Sequence, residues 1–297
     1  MRILGCFLIL LVSACGDGAQ EEYGTMSAGA SVELKFDVSI EDVLNNSPVK
    51  FDADCLQDAD FCLYEFDRPM GDSNLPSVII RRDSGTLEID DVATITTSSN
   101  TQQSSKIDNF KLTVRGLPDN RTHEENKTFI YALIEKIQKA GWQRFIAPSS
   151  PRISGSEAGK ISSADSIYGV HVSSHPWFDP TYTLDLQRWM QWGSFYVWSF
   201  YNDGIYMKLS AWRQKSPVEP DSKGTYLITV ELQTDAKYWQ NEFEPEEQKG
   251  SWKSLVSELK IKYKEIRERD EELLRSFGVD IDEGYQDPSI KQLGSDR

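Results

Sequence analysis

The sequence predicts an α+β fold with a mainly antiparallel sheet and two principal helices. Three observations carry that prediction. Short runs of alternating apolar and polar residues recur along the chain, the pattern of half-buried strands. Two stretches, about 122–140 and 251–277, instead place apolar residues three and four apart, the period of a helix packed along one side. Between them, residues 194–212 read as two aromatic-rich strands around Asp203-Gly204, a dipeptide suited to the positive φ values of a type I′ turn.

In chain order, residues 1–14 read as a signal peptide. Arg2 gives a positive start, and residues 3–12 are an apolar run too short to span a bilayer as a mature helix. Ser13 and Ala14 then precede Cys15. Val12-Ser13-Ala14-Cys15 resembles the lipobox of bacterial lipoproteins. The resemblance implies cleavage before Cys15 and acylation of that cysteine, so that the lipid bilayer becomes a partner. Several acyl chains hold a protein firmly where one holds it marginally. The implied location is the bacterial envelope, facing the periplasm, and Gly16 rather than Asp at that position implies the outer membrane under enteric-type sorting. Residues 15–31 follow as a lipidated, polar tether. Residues 32–290 read as a single globular domain with a β-rich N-terminal subregion at 32–100, and 291–297 as a tail.

Val32, Leu34, Phe36, Val38 and Ile40 alternate as one strand. Cys55 and Cys62 are an even pair in an exported chain, which predicts a disulfide. The carboxylates around them do not match a calcium loop, because Gln57 and Leu63 stand where glycine and glutamate are needed. Strands are expected at 77–82, 86–90 and 92–97, with a turn at 83–85 and a polar loop at 98–105. Phe110, Leu112 and Val114 alternate as another strand. Thr122 and Glu125 have capping-box spacing ahead of Ile130, Leu133, Ile134 and Ile137, and Gly141 stops that helix. A strand at 142–146 would complete a strand–helix–strand unit, and 147–166 reads as a loop in which Gly155 to Gly159 is turn chemistry. A short helix fits 184–192.

Around the Asp203-Gly204 turn, the register sets Tyr196, Trp198 and Phe200 opposite Ala211, Leu209 and Met207 as a core face. The other face carries Phe195, Val197, Ser199 and Tyr201 beside Trp212, Ser210, Lys208 and Tyr206. A strand follows at 225–232. Trp252, Leu255, Val256, Leu259, Tyr263, Ile266, Leu273 and Phe277 make the stripe of the long helix. The acidic tail from Asp280 is expected to lie along the surface.

The net charge of −15 disfavours nucleic acid and anionic membrane surfaces as partners and favours basic ones. Of three histidines, His123 falls in a first helical turn and reads as exposed. His171 and His175 are four apart, but Pro176 breaks the helix that would align them on a metal. No motif frames a serine nucleophile, and no glycine loop cradles phosphate, so no cofactor is expected. Residues 177–212 hold twelve of the 33 aromatic side chains, a density that demands burial or binding. Core packing, a protein-binding face, and a sugar- or lipid-binding platform are the three readings. For a protein-binding face the candidates are Trp189, Trp192, Tyr201, Tyr206, Lys208, Trp212 and Arg213.

An acidic, aromatic-rich, lipid-anchored body without a catalytic constellation is similar in type to the immunity lipoproteins of type VI secretion loci. That resemblance implies a non-enzymatic binding module whose partner is a basic secreted effector, such as a lipase. The alternatives are an envelope hydrolase using carboxylates or His171 and His175, and a structural lipoprotein of an envelope complex.

Overall fold

The structure is a computed structural model that describes residues 29–56, 60–100, 106–164, 166–244 and 246–294. The expected signal peptide, Cys15 and most of the expected tether lie outside the described residues.

The chain enters through β1 (Ser31–Glu33) and then α1 (Ile40–Asn46). The single strand expected over 32–40 is therefore corrected. Ser39 accepts the Asp42 N–H at 3.1 Å, and Glu41 and Asp42 lie in the first turn. A capped, acidic helix start outweighs the alternation that precedes it. β2 (Asp52–Leu56) and β3 (Phe61–Asp67) follow, with Cys55 opposite Cys62 in register and joined by the disulfide. Next come β4 (Ser77–Arg82), β5 (Gly85–Ile89), β6 (Val92–Asn100) and β7 (Asn109–Val114). β6 continues through 98–100, which the sequence assigned to a loop; 101–105 lie outside the described residues.

β8 (Arg121–Thr122) leads into α2 (His123–Lys139), whose capping box is complete: Thr122 accepts from Glu125 N, and the Glu125 carboxylate accepts from Thr122 N at 2.9 Å. β9 (Gln143–Arg144), α3 (Leu186–Gln191), β10 (Phe195–Asn202), β11 (Ile205–Lys215) and β12 (Lys223–Thr234) come next. The chain closes through α4 (Asp235–Asn241), α5 (Glu246–Gly250) and α6 (Trp252–Ser276).

The strands form two sheets. β1 runs parallel to β4, and β5 completes that small sheet. The large sheet has nine strands in the order β2-β3-β6-β7-β12-β11-β10-β9, with β8 on the start of β12. All its pairings are antiparallel. The strand–helix–strand unit expected from the sequence exists, but β7 and β9 are separated by three strands, so α2 crosses from mid-sheet to the edge instead of joining neighbours.

One face of the large sheet is packed with the small sheet and α2 into a single apolar cluster. Ile130, Ile134 and Ile137 of α2 are sealed against it, each stabilising by about 1.5–3 kcal/mol relative to exposure. Two smaller clusters lie outside it. Ile153, Ile161, Ile167, Val170 and Val172 pack on Leu274 and Val279, and Trp239 and Phe243 pack on Trp252, Val256 and Ile290. The stripe of α6 departs from expectation in its second half: Leu273 and Phe277 are exposed, while Arg267, Glu271 and Leu274 are buried. The loop after β9 and the C-terminal segment supply the ionic partners that let those two charges go inside.

Candidate binding surfaces

The hairpin built from β10 and β11 sits in the centre of the candidate region. Asp203 and Gly204 take φ of +48° and +82°, as the turn requires, and the pairing follows the register read from the sequence. Tyr196, Trp198, Phe200, Met207, Leu209 and Ala211 are buried together. The opposite face divides in two.

Near the turn it is covered. Tyr206 stacks on Tyr238 of α4 with centroids 4.1 Å apart, and Phe145 meets Tyr206 edge-on at 4.8 Å. Tyr206 is thus interior, and burial pushes its hydroxyl far above the ordinary tyrosine range. Tyr201 is half-buried; its hydroxyl donates to the Ser289 carbonyl at 3.2 Å and accepts from Gly204 N at 2.8 Å.

Two further candidates are interior for another reason. Trp189 is fully buried, stacked on Tyr196 at 4.1 Å, with its indole N–H on the Tyr226 hydroxyl at 2.9 Å. Arg213 shares the inward face of β11. Its guanidinium donates to the carbonyls of Trp189 (3.2 Å), Trp192 (2.9 Å) and Gly193 (3.1 Å), so it ties down the segment after α3. Trp189, Tyr206 and Arg213 are corrected from contact residues to framework, because side chains sealed in this way reach no partner. Trp192 is half-buried against Phe178 at 4.5 Å, and its indole donates to the Phe195 carbonyl.

Away from the turn the face is open. Phe195, Trp212 and Leu227 are directly opposed on β10, β11 and β12 and are 61%, 41% and 41% exposed. At the ordinary strand spacing this row is about 10 Å wide. The next row is Val197, Ser210 and Thr229, and beyond it Lys208 pairs with Glu231 across the strands at 2.8 Å. Of the predicted set, Trp212 and Lys208 therefore face solvent on this surface. Phe195 and Leu227 were not among the candidates. Both had a signal: Phe195 stands opposite Trp212 in the hairpin register, and Leu227 is a large apolar residue in the outward phase of a strand whose inward phase is Tyr226, Ile228, Val230 and Leu232.

Two of the three histidines have structural duties. His175 is buried, caps a 3-10 turn over Pro176–Phe178 by accepting Trp177 N at 3.2 Å, and points Nε2 at the Ser163 carbonyl at 3.3 Å. Burial pulls its pKa down to about 4. His171 is exposed. His123, expected on the surface, is instead buried between the Tyr226 hydroxyl (2.9 Å) and the Pro220 carbonyl (3.1 Å), and desolvation lowers its pKa. Among the described residues no three potential ligand side chains converge on a metal position, and no helix is long and apolar enough to cross a membrane. Compared with known proteins, the chain matches no protein-family model, no curated sequence and no solved structure.

Proposed function

We propose that the chain is a lipid-anchored, periplasm-facing binding module that captures a partner protein on the open half of its large sheet, and that it serves as an immunity protein against a secreted effector. The observation that supports this reading is the Phe195–Trp212–Leu227 row. Three large apolar side chains are held in water by a rigid sheet, although each would gain about 25 cal/mol per Å² if covered. Tryptophan at the centre of such a patch is a recurrent interface anchor. The Lys208–Glu231 pair supplies a polar rim on one side, and the charge of −15 steers a basic partner toward the surface. Acylation at Cys15 would hold the module in the compartment where an incoming effector acts.

The test is capture from the secreted fraction of bacteria that carry this chain, using detergent-solubilised full-length protein. The expected result is one stoichiometric partner that is toxic in the periplasm without the chain. Phe195→Ala and Trp212→Ala should each weaken capture at least about tenfold while leaving thermal unfolding unchanged. Capture that is indifferent to both substitutions, or no secreted partner at all, overturns the reading.

A further inference from the structure

A second surface lies at the other end of β10. Beyond Tyr201, at the β9 edge of the large sheet, a cleft of about 650 Å³ opens between that edge and the chain segment 282–289. Its volume is in the range of small-ligand sites. Its floor is an ion pair, Arg144 to Asp179 at 2.7 Å, with side chains only 13% and 4% exposed.

Asp179 is fully engaged. Besides Arg144 it accepts Gly155 N at 2.7 Å, Thr181 N at 2.8 Å and the Thr181 hydroxyl at 2.7 Å. The Gly155 backbone comes so close that an added Cβ would stand 2.5 Å from Tyr182 Cβ and 3.0 Å from Asp179 Cβ. Arg144 is less occupied. It gives one N–H to Asp179 and one to the Ile153 carbonyl at 2.7 Å. A guanidinium has five, so these two contacts leave it capacity for further acceptors. Burial lowers its pKa, a sign that its charge lacks solvation.

The walls are set before any ligand arrives. The Tyr285 hydroxyl accepts Ile146 N at 2.9 Å, Asp282 N donates to the Arg152 carbonyl at 2.7 Å, and Tyr201 holds Ser289. Two half-buried phenol rings, Tyr201 and Tyr285, and two exposed amides, Gln143 and Gln286, line the opening.

This combination selects by charge and by shape. An anion drawn to Arg144 meets the carboxylates of Asp179 and Asp282; a cation drawn to those carboxylates meets Arg144. An uncharged ligand avoids both conflicts. It must offer many donors and acceptors to the guanidinium and amides, and apolar C–H faces to the two rings. We infer that this cleft is a binding site for an uncharged saccharide.

The experiment is titration calorimetry on the full-length protein in a sugar-free detergent, with triacetylchitotriose, cellotriose and maltotriose as probes. At least one should bind with Kd below about 1 mM. Gln143→Ala and Gln286→Ala, both at exposed positions, should each weaken that binding about tenfold without altering thermal unfolding, and Trp212→Ala should leave it unchanged. Amide exchange at 143–145 and 282–289 should slow on binding. Three results overturn the inference: no trisaccharide bound at about tenfold that concentration, binding that survives both glutamine substitutions, or displacement of the sugar by equimolar inorganic phosphate.

Discussion

His175 shows how a residue suited to chemistry is spent on structure. Its ring lies against Trp177 at 5.2 Å and Trp192 at 5.2 Å, with Phe178 beyond, and both nitrogens are engaged by backbone. Such an imidazole folds neutral. Its folded pKa, about 4, is below the unfolded 6.5, so the unfolded chain binds the extra proton between those values. Stability is then full above about pH 6.5 and falls as the pH drops, by about 3 kcal/mol at pH 4. Desolvation of His123 adds a slope of the same sign. Urea unfolding at pH 7 and pH 4.5 checks this. His175→Gln should flatten the wild-type loss between the two, keeping only the part due to other groups, and an unchanged slope would show that His175 is not the cause. The residue scale also shows what pattern reading can miss. Arg213 has the side-chain type of an interface anchor, yet its phase is readable: 207, 209, 211 and 213 share one face of β11, and that face is core.

At the scale of elements, the parts pinned by local chemistry were legible. A two-residue turn fixed the β10–β11 register, and a capping box fixed the start of α2. The second half of α6 was not legible, because its buried seam is ionic and its partners lie far away in sequence. Glu271 is almost fully buried and accepts Arg152 N at 3.0 Å, Nε at 2.8 Å and Nη2 at 2.8 Å. Burial pushes its carboxyl pKa up, but these bonds and the charges of Arg152 and Arg275 pull it below the usual range. One turn earlier, Arg267 donates to the Ser150 carbonyl at 2.9 Å and to Asp287 at 2.7 Å. No periodicity of apolar residues announces such a seam, and the sequence stripe drifted instead to Leu273 and Phe277. Phe277 ends exposed, stacked on Tyr168 at 4.9 Å. Removing one partner should therefore cost more than removing both. Glu271→Ala is expected to lose about 3–5 kcal/mol in urea unfolding. Adding Arg152→Met should recover part of that loss, and a purely additive double variant would show that the seam is not coupled.

Over the whole molecule, the segment after α6 does more than the surface tail read from its acidity. Ile281 bridges to Ile153, the Tyr285 hydroxyl holds Ile146, Asp287 pairs with Arg267, and Ile290 enters the cluster of Trp239 and Trp252. Lys291 then reaches Asp203 at the hairpin turn, and Gln292 N donates to Asp235 at the start of α4 at 3.1 Å. One strap thus links the loop after β9, the long helix, α4 and the central hairpin. Its contacts are single residues spaced along a polar chain, which is why no period revealed them. A chain ending at Val279 would leave Arg267 buried without its carboxylate and open the cluster that Ile290 fills. Together these losses should reach at least about 5 kcal/mol, comparable to the whole stability of many domains. A chain ending at Leu293 keeps every one of these contacts and should unfold with the wild-type midpoint. Urea unfolding of both truncations decides the matter: if the shorter chain falls within about 1 kcal/mol of wild type, the strap only decorates the surface. If it unfolds as expected, the wall of the β9 cleft is itself part of the fold's stability.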